Sequence, residues 1–212
     1  VSVTSNVTVV AYNKKLISED KVPDKWEDFL KPEFKGKKFA MMIRPDVAAL
    51  VPAWGLEKTL DFARKLAAQQ PVWGSGVTRL NTGVAIGEYS LYLGSPFAST
   101  SRAMRKDPTG NLSYKIVEPV PVRIESPSTI LNTAGHPHAA LLFLEFLASP
   151  EGQEIIDKYD PFRASVFTPG SVPEQMTRGK KLSLVDWDHV TNYPEYTEKL
   201  FAAYGFPKAD KK

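Results

Sequence analysis

The chain has 212 residues, 42% of them hydrophobic, enough for one large α/β domain or two small ones around a real core. With 27 basic and 24 acidic side chains the formal charge is +3, too slight an excess to nominate nucleic acid or an anionic membrane as the partner. The absence of cysteine excludes disulfides and thiolate metal sites, and no apolar run reaches the ~20 residues of a membrane helix.

The segment VTVVAY, Val7 to Tyr12, is β-branched and predicts a strand almost at the first residue, with no basic leader and apolar stretch ahead of it. Asp24 and Glu27 have capping-box spacing, and Trp26, Phe29 and Leu30 share a helical face, so a short helix is expected before Pro32. KFAMMI, Lys38 to Ile43, reads as a buried strand. After the loop Arg44-Pro45-Asp46 an apolar helical segment follows, in which Pro52 should kink or break the path. Leu56, Leu60, Ala63 and Leu66 recur at helical spacing, with Asp61 four residues before Lys65.

Beyond the loop PVWGSG, Val77, Leu80 and Val84 predict another helix stopped near Gly87, then a strand over Ser90 to Leu93. A strand is expected around Tyr114 to Val117, and the proline-punctuated EPVPVRIESPS must be extended. Pro137 suits the first turn of a helix whose Ala139, Leu142, Phe143, Phe146 and Leu147 form a wide stripe for burial. Ser149, Pro150 and Glu151 supply a fresh N-cap and turn a corner into the next helix. The tail KADKK reads as frayed. Strands alternating with helices favour an α/β class.

No pattern of a nucleophile elbow or a phosphate loop is present, and no carboxylate pair is marked out as acid and base, so the chain does not read as an enzyme. His136 and His138 flank a proline without a completing ligand set and read as loop and cap; Asp186, Asp188 and His189 read as a solvated turn. Neither a metal site nor a cofactor is expected.

Four segments carry a family resemblance: VVAYNKKLI, VPDKWEDFLKPEFKGKKFAM, GVAIGEYSLYLGS and AGHPHAALLFLEFLASPEGQEII. In order and spacing they resemble the bacterial extracellular solute-binding proteins of ABC importers, type II periplasmic binding proteins, and most of all the ferric-iron-type group. The resemblance implies two α/β lobes joined by crossing strands, a mixed sheet flanked by helices, a cleft that closes on a solute, a periplasmic location and an inner-membrane ABC permease as partner. It also implies that the match begins near the first crossing: residues 1–9 as a crossing strand, 10–122 as the second lobe, and 123–212 as the return crossing with C-terminal helices of a first lobe whose N-terminal part is lacking. The helix around Ala139 to Leu147 would then lack the sheet its stripe is shaped for, and each large apolar side chain left exposed costs about 1.5–3 kcal/mol, so a homo-oligomer is expected. The same bilobal fold serves ligand-sensing modules, which is the alternative reading.

The ferric group would set two adjacent tyrosines after the strand SLYLG, where this chain has Pro96 and Phe97; ferric iron with a synergistic anion stays the alternative ligand, and Tyr89 and Tyr92 read as packing residues. A small polar or anionic solute is the expected ligand, held where backbone N–H groups and the helix dipole favour negative charge. Three strand-to-helix loops qualify, with Arg44 and Asp46 in the first, Ser75, Thr78 and Arg79 in the second, and Ser95, Phe97 and Ser99, followed by Arg102, in the third. Each dipole contact contributes about 0.3–2 kcal/mol against about 8 kcal/mol for micromolar affinity, so the chain alone should bind weakly.

Overall fold

The computed structural model describes residues 3–36, 38–44, 46–125 and 128–206; Pro45, Pro127 and the KADKK tail lie outside them. In chain order the strands are β1 (Thr4–Asn13), β2 (Phe39–Met42), β3 (Val72–Gly74), β4 (Leu91–Pro96), β5 (Leu112–Lys115), β6 (Val120–Glu125) and β7 (Leu182–Val185). The helices are α1 (Val51–Trp54), α2 (Leu56–Ala68), α3 (Val77–Ile86), α4 (Phe97–Lys106), α5 (Pro137–Ala148), α6 (Pro150–Tyr159), α7 (Val172–Thr177) and α8 (Trp187–Tyr204), with 3-10 turns at Trp26–Leu30, Asp46–Leu50 and Pro161–Arg163 among the links.

One seven-stranded mixed sheet runs β3-β2-β4-β1-β6-β7, with β5 also on β1. β2 is parallel to both β3 and β4, and β6 is parallel to β7. β1 is antiparallel to its neighbours and divides its length between them: Thr8 to Tyr12 pair with β4 and Val10 to Asn13 with β5, whereas Thr4 to Val7 pair with β6. A register shift between Val9 and Val10 interrupts the pairing with β4. Nine of its ten residues are buried, as its β-branched sequence requires.

The strand's alternation sorts the core into two faces. Val10 and Tyr12 join Trp26, Phe29, Leu50, Leu60 and Leu66 on one side. On the other, Ala11 meets Leu80, Val84 and Tyr92 of α3 and β4, and Val7 and Val9 meet Phe97, Val120 and Val122. The last helix closes the first face: Leu200 and Tyr204 of α8 lie in the same cluster as α2, and Trp73 packs its ring 4.8 Å from that of Tyr204. The final helix thus packs on the same core cluster as Val10, Leu60 and Leu66.

Three local outcomes differ from the sequence expectations. Trp26–Leu30 is a 3-10 turn without a side-chain cap, its Trp26 and Phe29 buried; Asp24 instead meets Lys115 at 2.9 Å. The apolar path after Asp46 breaks at Gly55, whose φ of 78° favours glycine, while Pro52 is accommodated in the first turn of α1. α5 buries none of its residues: Leu142 is 67% and Phe143 58% exposed. The corner that follows is as expected, with Ser149 Oγ accepting from Gly152 N at 3.2 Å.

Candidate functional site

Because β2, β3 and β4 are mutually parallel neighbours, their C-terminal ends emerge at one edge of the sheet, the edge at which open α/β sheets hold ligands. Each is followed by a helical start: the 3-10 turn at Asp46 after β2, α3 after β3 and α4 after β4. The first two loops are tied together where Ile43 N donates to Gly74 O at 3.0 Å. The second and third are tied through Asn81 of α3, whose Nδ2 donates to Ser95 Oγ at 3.0 Å.

The eight sequence-derived residues fall into two groups along this edge. Arg44, Ser75, Thr78 and Arg79 are exposed, and Ser99 is half-buried. No side chain caps α3, whose N-cap is Gly76, so Ser75 is not a capping residue and the first-turn N–H groups face the edge without one. Ser95 and Phe97 depart from the expectation of an open rim. Ser95 is fully buried, its hydroxyl engaged by Asn81 and 2.7 Å from Thr100 Oγ1. Phe97 is 2% exposed, its ring 5.1 Å from that of Tyr114 and 5.4 Å from that of Phe162. Both support the loop from beneath.

Asp46 is the one buried acid of the set. Its Oδ1 lies 3.0 Å from Arg123 Nη2 and 3.8 Å from Arg44 Nε, and the same Arg123 nitrogen donates to Asp46 O at 3.2 Å. Burial raises its pKa above the usual carboxylate range, against the pull of Arg123 and then Arg44. Gly94 lies beside it with a φ of 88°, a conformation that favours glycine, and a Cβ there would stand 3.4 Å from Asp46 Cβ, at ordinary contact.

Arg123 on β6 and His189 in the first turn of α8 belong to this neighbourhood and were not among the sequence-derived residues. His189 is 5% exposed, its N–H donates to the capping carboxylate of Asp186 at 2.8 Å, and its Nδ1 has no hydrogen-bond partner. Burial, then Arg123, depress its pKa, with Asp186 opposing, so the ring is held neutral. The solvated turn expected at Asp186, Asp188 and His189 is thus a helix cap over a buried imidazole. The signal for Arg123 was its lone positive charge in the alternating run VPVRIE, which sets it on the face opposite Val120 and Val122.

Tyr92 is fully buried, and desolvation and the nearby Asp46 carboxylate hold its hydroxyl protonated. Tyr89 donates to Glu88 Oε1 at 2.7 Å. Among the described residues no group of three His, Cys, Asp or Glu side chains could hold a metal ion. Among them, too, no helix is long and apolar enough to cross a membrane.

A mixed sheet crossed by one long shared strand, with helix starts gathered beyond three parallel strand ends, is the architecture of the type II periplasmic-binding-protein fold. The chain belongs to the family described as bacterial extracellular solute-binding protein, whose model matches residues 1–192. A comparison with curated protein sequences finds no match. Among solved structures it is similar to iron-bound HitA from Pseudomonas aeruginosa (20% identity, TM-score 0.71), covering 96% of this chain and 68% of that one. It is similar also to Trichodesmium FutA in complex with iron and citrate (18% identity, TM-score 0.72, 97% of this chain and 70% of that one). A third is AfuA from Actinobacillus pleuropneumoniae with exogenous fructose-6-phosphate (19% identity, TM-score 0.66, 97% and 68%). At these identities the likeness is one of fold.

Proposed function

We propose that the chain is the substrate-binding component of an ABC import system, working in the periplasm and delivering a small polar or anionic solute to an inner-membrane permease. The observation that supports this most is the convergence of three helical starts at one sheet edge with two exposed guanidinium groups, Arg44 and Arg79, beside them. Direct solute contact falls to Arg44, Ser75, Thr78, Arg79 and Ser99, with Asp46 neutralised behind them and Ser95 and Phe97 shaping the wall. No bond is made or broken; the solute biases an open-closed equilibrium that the permease reads. Thr4 to Val9 and the return strand from Arg123 act as the crossing segments between the 10–122 lobe and the elements after it.

The second reading, ferric iron bound with a synergistic anion, is favoured by the iron named in two of the similar structures. Here Pro96 and Phe97 offer no oxygen ligand at the loop after β4, so the anion would carry most of the protein contacts. Calorimetric titration with citrate, ferric citrate and fructose-6-phosphate separates the readings. An organic-anion ligand gives binding without iron that falls about tenfold in Arg79→Ala; a requirement for iron, with citrate alone inert, selects the second reading. Indifference of every bound solute to Arg79→Ala and Ser75→Ala contradicts the site.

A further inference from the structure

A second concavity adjoins the third loop of the strand-end edge through Phe97, where α4 and β5 meet the chain after the return strand. It has a volume of about 410 Å³, within the range of small-molecule pockets. Met104 of α4, Tyr114 of β5, Phe162 of the 161–163 turn and Val172 at the start of α7 line it, over a floor made by Phe97. It sits on the Val7 and Val9 face of β1, opposite the face that carries Thr8 and Asp46. The walls therefore come from both sides of the return crossing.

Two properties specify an occupant. The lining is aromatic and rigid: Phe162 stands at 90° to Phe97 and Tyr114 at 65°, leaving partly exposed ring surface for a flat apolar body. The rim is cationic: the Arg105 guanidinium lies 4.5 Å from the centroid of Phe162, and among the described residues no carboxylate pairs with it. Arg102, Arg105 and Lys106 give α4 three positive charges and no negative one. We propose that this pocket binds a small aromatic carboxylate, its ring against Phe162 and Tyr114 and its anionic group on Arg105. This site shares Phe97 with the strand-end edge, but its other lining residues are none of those assigned to solute contact, so it stands whether or not that edge holds the transported solute.

The test is calorimetric titration of the 212-residue chain with 1-naphthoate and with the neutral 1-naphthylmethanol. Saturable one-site binding of naphthoate is expected, weakened about tenfold in Arg105→Gln while naphthylmethanol binding is unchanged, since only the charge contact is lost. Val172→Trp, filling the pocket, should abolish both with the melting temperature retained. Should that variant not fold, Arg105→Gln and the neutral probe decide alone. Absence of saturable naphthoate binding, equal weakening of both probes in Arg105→Gln, or full binding in a folded Val172→Trp overturns the proposal.

Discussion

Arg123 on the return strand holds the carboxylate of Asp46 at 3.0 Å and its main-chain oxygen at 3.2 Å, so one guanidinium pins the first loop of the strand-end edge to the crossing. Asp46 is 9% exposed, and removing Arg123 would leave its charge with only the more distant Arg44. Arg123→Ala is expected to lower stability by about 3 kcal/mol, the low end for a buried pair because Arg44 remains nearby. Asp46→Asn added to Arg123→Ala should recover part of the loss. Urea denaturation of the two variants measures both effects; equal stability of Arg123→Ala and the parent would dismiss the pin.

His189 predicts an acid-side weakness. Its folded pKa lies below the ordinary 6.5, so the unfolded chain binds the proton more readily. Its contribution is fully present above pH 6.5 and is lost as pH falls from there toward the folded value. Melting temperatures followed below pH 6.5 should therefore decline more steeply in the parent than in His189→Gln. Parallel curves would mean that the imidazole titrates as in water.

The Ser95 hydroxyl separates architecture from recognition. Ser95→Ala leaves Asn81 with one partner fewer in a dry site, at a cost of about 1–2 kcal/mol in stability, with solute affinity nearly unchanged. Ser75→Ala should do the reverse, lowering affinity without moving the melting temperature. If Ser95→Ala loses affinity in a fully folded protein, its hydroxyl belongs to the solute site after all.

Much of the fold was legible because periodicity carries it. β1, β2, α2 and α3 follow from β-branched runs and from apolar residues at helical spacing, and Ser149 follows from cap chemistry that acts within three residues. What sequence spacing does not contain is long-range pairing. Asp24 is drawn to Lys115, Arg123 reaches Asp46 across 77 positions, and His189 is buried by contacts that its polar neighbours Asp186 and Asp188 do not announce. The same holds for the site: the three loops were visible as strand-to-helix junctions, but whether a serine in one faces outward, as Ser75 does, or inward, as Ser95 does, depends on the neighbouring helix.

The stripe on α5 shows both sides of this limit. Leu142 and Phe143 were readable as apolar positions, yet among the described residues no element covers them. Contact with water at this density of large side chains favours association. Sedimentation of the 212-residue chain is expected to show a self-associated species that Leu142→Lys with Phe143→Lys converts to monomer. A parent that stays monomeric at high micromolar concentration would remove self-association from the picture.

Backbone amide shifts of the isotopically labelled chain, titrated with citrate and with fructose-6-phosphate to the millimolar range where a few helix-dipole contacts saturate, address the central claim most directly. The expected result is a cluster of shifts at Arg44, at Ser75 to Arg79 and at Ser99, with β5 and α6 unmoved. Shifts scattered elsewhere, or a spectrum unchanged in those three loops by either anion, would contradict recognition at the strand-end edge.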